Sequence, residues 1–511
     1  MNPILNALEP LIAEFDDIAE LAQHKDRIAA DAPVYAESLV RLGDSTLGIA
    51  RDAQSKFLFE LAARRDRLNG DFAGDVDDSA GPAVKQCPFS HANALALRAH
   101  LPWTAPVSLR DRQTTFGCGD RLGLATAGHI RTLRNYQVGP VLAQQSTREL
   151  TLTKRNIEGV VDDVTFLVFQ EGFTDGYGAD GDHLKTIADI DVAIDAGMAM
   201  ITLDLTEVLN PDAEKWSKTQ VDQAFTNLPT DVRHRITDAY ADATFTIDDE
   251  TISISALESR RCAIIYLDAL NFAKEVYEHI RRRRGNEFDL ELSIDETTAP
   301  TLPSHHLFII SELTHRGVEL TSLAPRFIGD FQKGIDYIGD VNEFEAQFKT
   351  HCAIARNHGN YKISVHSGSD KFSVFPIVGK HTNCRFHLKT AGTSWLEAVR
   401  VIAKVEPDLY RDIHRSAQAG FQDALKLYHI TADFGSIPTL DSVADDRLPD
   451  YLDKDESRQL IHISYGTVLN DPAVRPRFFA AMHRHEDQYF ECLEQHFRRH
   501  ADLLGIPKRD A

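Results

Sequence analysis

Eight short β-like runs predict an α/β chain of the (β/α)8 TIM-type barrel class, because an amphipathic helix pattern follows each run and most runs close on a polar or charged residue. The rest of the chain reads as additions to that barrel. A mostly helical N-terminal extension occupies 1–110, the barrel spans 111–405 with a helical insertion over 211–285, and a mostly helical C-terminal region follows over 406–511. With 511 residues and 43% hydrophobic content the chain can bury a large core.

In order, Thr114 to Gly117 runs up to Asp120 and Arg121, Pro140 to Ala143 to Gln144 and Gln145, and Tyr177 to Ala179 to Asp182 and His183. The next five runs are Ala199 to Asp204, Leu290 to Glu296, Leu320 to Arg326, Lys362 to His366 and Arg385 to Lys389. The helices between them carry punctuation. Thr186 reads as an N-cap with Asp189 three residues on, Ile187, Ile190 and Ile194 keep helical spacing, and Gly197 stops the pattern. Pro303 opens another helix and Gly317 closes it; Asn342 and Gly359 bracket a third. Two later runs, 427–430 and 461–464, also look strand-like and could shift the strand numbering by one.

A formal charge of -22 excludes nucleic acid and anionic membrane as obvious partners. The one strong basic run, Arg281 to Arg284, reads as a solvated helix C-terminus. Six scattered cysteines without metal-ligand spacing, and no long apolar segment, point to a soluble, cytoplasmic protein with reduced thiols. The pattern is equally compatible with a monomer and a homo-oligomer.

Chemistry is expected where strands end, since barrel side chains converge there. The densest cluster is Gly178 to Lys185, with two carboxylates, an imidazole and an ammonium together. Neighbouring strand residues face opposite ways, so the reading places Asp182, His183 and Lys185 in a loop above a finished strand. His183 and His366 are the metal-ligand candidates, neutral imidazoles from well-separated strands, and Gln332 is a third, oxygen ligand. Asp182 and Glu296 are the acid/base pair, with ion pairing to Lys185 or Arg326 as the alternative role. Arg121, Arg148, Lys185, Arg326, Lys371 and Lys389 could hold an anion despite the acidic total. His305, His306 and His315 read as helix-surface residues.

Several blocks together resemble the tagaturonate epimerase family: Gly119 to Thr126 with Gly128-His129-Ile130, Val141 to Ser146 with Arg148-Glu149-Leu150, Gly178 to Thr186, Ser364 to Phe372, and His387 to Thr393. The resemblance implies a divalent-metal-dependent barrel enzyme that interconverts D-tagaturonate and D-fructuronate in hexuronate breakdown. It further implies Asp182 as proton acceptor, Glu296 as donor, and His183, Gln332 and His366 as metal ligands. The inverted carbon is beta to the ketone, so enolisation cannot reach it and a retro-aldol route is expected. A metal-dependent aldolase or hydrolase on a sugar acid, or a non-catalytic sugar-acid binding protein, would use the same residues.

Overall fold

The computed structural model describes residues 4, 8, 18–28, 32–79, 81–295, 299–390, 392–433, 435, 437 and 440–509. Its N-terminal part is not mostly helical. Strands β1 (Val34–Leu42), β2 (Ser45–Arg51), β3 (Lys56–Ala62), β4 (Asp75–Asp77) and β5 (Ala83–Cys87) form an antiparallel sheet in the order β1-β2-β3-β5-β4. One face packs on Ile4, Leu8, Ile18 and Leu21, and the other on Leu97 of helix His91–His100 and on Phe166 and Phe169 of helix Ile157–Gln170. Burial on both faces of β2 and β3 removes the period-2 alternation that marks a half-exposed strand. Inside the sheet Glu60 pairs with Lys85 at 3.1 Å and also accepts from Ser45.

All eight barrel strands fall where the sequence reading places them. They are β6 (Thr115–Cys118), β7 (Gly139–Ser146), β8 (Gly178–Leu184) and β9 (Met200–Asp204), then, after the hairpin β10 (Ala243–Ile247) and β11 (Glu250–Ile254), β12 (Asp289–Ser293), β13 (Ser322–Ala324), β14 (Lys362–Val365) and β15 (Phe386–Thr390). Each barrel strand pairs in parallel with the next, and β15 pairs with β6 to close the barrel. The two extra strand-like runs are not strands. Residues 427–430 form a turn and coil, and Ile461–Ile463 ends helix Asp455–Ile463.

The excursion between β9 and β12 holds helices Lys218–Thr226, Thr230–Tyr240 and Ala256–Arg284 besides the hairpin. Asp248 and Glu250 of the hairpin turn pair with Arg356 and Lys349 of helix Val341–Asn357, fastening the excursion along the barrel's side. Arg283 at its end pairs with Asp191 and Asp195, as a helix C-terminus beside acids should. Among the described residues, no helix is long and apolar enough to cross a membrane, and all six cysteines are unpaired.

The C-terminal helices clasp the barrel near its β15–β6 seam. Trp395 of helix Thr393–Val405 is fully buried against Phe478, and Tyr489 donates to the Ser394 carbonyl. Gly379 of helix Phe375–Thr382 lies so close to the chain end that an added Cβ would sit 1.9 Å from the Leu504 carbonyl oxygen. A methyl there cannot be absorbed by a rotamer change. We expect Gly379→Ala to cost ~1–3 kcal/mol, the usual range for overpacking, seen as a lowered thermal midpoint; an unchanged midpoint would mean that the tail is not seated on this helix.

Candidate active site

The cluster on β8 is presented by a bulge and not by a loop. Asp180 lies opposite Met200 and Gly181 opposite Ile201, but pairing resumes at Leu184 opposite Leu203, one residue more on β8 than on β9. His183 takes the left-handed conformation, φ 57°, that accommodates the extra residue. Asp182 and His183 can therefore serve the same cavity although they are neighbours on a strand. Thr186 caps the following helix as expected: the Asp189 N–H donates to its hydroxyl at 3.1 Å.

His183 and His366 come together with ring centroids 5.1 Å apart. Asp295, just beyond β12, completes the group: its carboxylate oxygens lie 3.8 Å from His183 Nε2 and 3.1 Å from His366 Nδ1. Each imidazole is oriented from behind by a carboxylate. Asp182 Oδ1 is 2.8 Å from His183 Nδ1, and Glu291 Oε1 is 2.6 Å from His366 Nε2. A ring N–H donated to each carboxylate leaves His183 Nε2 and His366 Nδ1 as lone-pair donors facing Asp295, the usual arrangement behind metal-bound histidines. His366 Nδ1 is moreover buried without a hydrogen-bond partner. Burial would push both imidazoles toward neutrality, yet Asp182 and Asp295 raise His183, and Asp295 raises His366. The same carboxylate field favours a cation, so the donor set of two nitrogens and a carboxylate fits a divalent ion.

Below this group, Lys389 of β15 sits inside the barrel, with Nζ at 2.7 Å from Asp180, 2.6 Å from Asp182 and 3.0 Å from Glu291. Thr202 of β9 donates to Asp180 at 2.9 Å and accepts from Lys389. Burial alone would raise the Asp182 carboxyl, but Lys389 and then His183 hold it well below the usual carboxylate range. Asp180, with the same ammonium but two acidic neighbours, is pushed up to about 6 chiefly by burial.

Two cavities of about 380 and 360 Å³ open over this cluster. Asp295, His366, Arg326 and Gln332 line one; Asp182, His183, Lys185 and Arg121 line the other. The excursion over 211–285 lines neither, whereas Leu427, Tyr428 and His429 of the C-terminal region do reach the mouth.

The other predicted residues separate by what holds them. The Gln332 amide group accepts from Thr431 N at 3.0 Å and from Gln459 at 3.1 Å, which anchors its loop. Arg121 is clamped by Glu149 at 2.9 Å and the His462 carbonyl, lies 3.6 Å over the Tyr465 ring, and faces Gly392, where a Cβ would strike its guanidinium. Lys185 pairs with Glu207 at 3.3 Å and Asp204 at 3.7 Å. Lys371 lines neither cavity; it is buried and donates to the carbonyls of Gln332, Ile335 and Ser369, bracing the loop that carries Gln332. Lys389 also lines neither, being spent on three carboxylates. Glu296 lies outside the described residues.

The sequence reading closes the fifth run with Asp295 and Glu296 and counts Asp180 among the two carboxylates of the Gly178 to Lys185 cluster, but it gives no site role to Asp295, Asp180, Glu291 or Lys333. Glu291 and Asp180 stand at inward positions of their strands, where the period of 2 turns alternate side chains toward the barrel interior and Lys389. His305 and His306 are also corrected, since both are buried: His305 meets the Tyr266 hydroxyl, while His306 meets His351 at 2.8 Å and Tyr361 at 2.6 Å. A second histidine–acid group, Asp370, His496 and His500, is a brace: His500 accepts from the Asp370 N–H and faces the His496 carbonyl, and Arg458 pairs with Asp370 at 2.9 Å.

Fold and site together define a (β/α)8-barrel enzyme. A model of the tagaturonate epimerase family matches residues 35–504. The tagaturonate/fructuronate epimerase of Thermotoga maritima is 41% identical over 480 residues, which are 94% of this chain and 98% of that protein. A glycerol complex of the fructuronate-tagaturonate epimerase from Cohnella laeviribosi superposes with a TM-score of 0.89 at 41% identity, covering 95% of this chain and 99% of that one. Its native crystal structure gives 0.89 at 42% identity over the same shares. The chain belongs to the tagaturonate epimerase family and is an epimerase, an enzyme of the isomerase class.

Lys389→Met should leave three buried carboxylates without their counterion. We expect a loss of ~3–5 kcal/mol, typical of breaking a buried pair, measured by urea unfolding. In the variant these carboxyls would titrate above their unfolded values, so the folded state binds more protons and the deficit should shrink as pH falls toward the acid range. A deficit that does not change with pH would refute the charge explanation.

Proposed function

We propose that this enzyme interconverts D-tagaturonate and D-fructuronate with a divalent cation held by His183, His366 and Asp295, while Gln332, whose amide oxygen accepts from Thr431 and Gln459, lines the same cavity. The observation that carries the metal assignment is the pair of carboxylate-backed imidazoles whose free nitrogens converge on Asp295. When bound, the cation would polarise the ketone and acidify the neighbouring hydroxyls as a Lewis acid. The cationic side chains around the two cavities suit a uronate carboxylate.

Asp182 is the proton acceptor in this proposal. Lys389 keeps it ionised, so at working pH it is in the accepting state; its Oδ1 faces Lys389 and His183, and the residue lines the cavity. It takes the proton from the hydroxyl on the carbon beta to the ketone as the bond between that carbon and its neighbour breaks. The electron pair moves toward the ketone, leaving an enediolate and a three-carbon aldehyde that retains the carboxylate. The aldehyde turns, the bond re-forms on its other face, and Glu296 returns a proton to the new alkoxide, as the family resemblance implies. We place the enzyme in the cytoplasm, in keeping with its unpaired cysteines.

Carbon NMR of D-fructuronate with metal-loaded enzyme should show D-tagaturonate appearing, and a chelated sample should show none. His366→Ala should bind the cation at least tenfold more weakly in a chelator competition and lose turnover. Equal conversion with and without chelator would overturn the metal assignment; stable accumulation of cleavage products in place of the epimer would make the enzyme an aldolase.

A further inference from the structure

We propose that Lys333, with Arg148 beside it, seats the carboxylate of the hexuronate and so makes the enzyme select an acid over a neutral ketose; this rests on the substrate reading above and deepens it. The two mouth cavities share one wall, made by Arg148, Lys333 and Tyr428. Asp295 and His366 face that wall from one side, Asp182 and His183 from the other. A substrate gripped at the polar cluster therefore has its far end directed to Lys333 whichever half it enters.

The charges sort themselves by partner. Arg121 is spent on Glu149, Lys185 faces Asp204 and Glu207, and Lys389 holds three acids inside the barrel. Lys333 differs: its ammonium donates to the Ser367 hydroxyl at 2.8 Å, and no carboxylate of the described residues lies within ion-pair distance. A partly desolvated ammonium without a counterion is costly, and an arriving carboxylate removes that cost.

Its position is built in advance. The carbonyls flanking it, those of Gln332 and Ile335, accept from buried Lys371, and the Gly334 carbonyl accepts from Arg458 at 2.8 Å. Ser367 follows His366 directly and holds φ 48°, so the hydroxyl that aims Lys333 is tied to a candidate metal ligand. Little ordering is left for the substrate to impose. Seating the carboxylate also answers a mechanistic need. After cleavage the fragment that must turn over is the one bearing the carboxylate, and a cation on that group tethers it while its aldehyde end rotates.

The test compares wild type, Lys333→Met and Lys333→Arg with D-fructuronate in steady-state kinetics, and follows thermal unfolding with and without that uronate. For Lys333→Met we expect KM to rise tenfold or more with a smaller change in kcat, more three-carbon aldehyde released per epimer formed, and loss of the uronate-induced rise in midpoint. Its midpoint without uronate should stay close to that of wild type, because no ion pair is removed and only the bond to Ser367 is lost, and Lys333→Arg should recover most of the affinity. A wild type and Lys333→Met equally stabilised by the uronate, with equal KM, would overturn the Lys333 assignment alone. A wild type neither stabilised by the uronate nor turning it over would overturn the substrate reading with it.

Discussion

The site depends on one ammonium. Lys389 enters the barrel from β15 and meets carboxylates from β8 and β12, which lie elsewhere around the ring. Without it Asp180, Asp182 and Glu291 could not all stay ionised in a space that water barely reaches, and burial already pushes Asp180 up to about 6. With it, Asp182 and Glu291 remain anionic and can each hold one imidazole in a fixed tautomer. The metal-type geometry is thus a second layer built on a charge balance one layer deeper in the barrel.

Local backbone strain converts that balance into direction. Two left-handed residues stand at the candidate metal ligands: His183 in the β8 bulge is one of them, and Ser367 directly follows His366. Each is a conformation a non-glycine residue adopts at some cost; His183 is held by Asp182 and Asp295, and Ser367 bonds Lys333. The C-terminal helices contribute from outside. Arg458 and Gln459 reach the loop 332–334, and Arg121 is clamped by the His462 carbonyl and Tyr465. The region beyond the barrel is therefore part of the site's scaffold.

Much of this was legible in the sequence, and the exceptions have physical reasons. The eight barrel strands were readable because each ends where polarity changes and a helix begins. The N-terminal sheet was not, because β2 and β3 are apolar on both faces and lose the alternation that marks a strand. Histidines from separate strands could be paired by position alone, since a barrel brings strand ends together whatever their sequence separation. Asp295 could not be chosen over Gln332 in the same way: which of several polar residues near a strand end turns inward is decided by side-chain partners, and Gln332 has Thr431 and Gln459. Lys371 and Lys389 read in the sequence as candidates for holding an anion, but in the structure they bond carbonyls and carboxylates of the protein itself, and no linear pattern separates such a lysine from one facing a ligand.

An acidic protein acting on an acidic sugar faces a long-range field of the wrong sign, and the structure meets it locally. Net charge governs encounter at distances beyond the screening length of ~8 Å at physiological salt; inside the mouth only the nearest groups count. There the acids are largely consumed: Asp182 by Lys389 and His183, Glu291 by His366 and Lys389, Glu149 by Arg121. Beside Arg326, Asp330 and the Lys185–Asp204 pair, what faces the cavities is then the histidine pair with Asp295 on one side and Lys333 with Arg148 on the other. That polarity suits a molecule with a chelating ketose end and an anionic far end, and it disfavours the reverse orientation, in which the carboxylate would lie against Asp182 and Asp295.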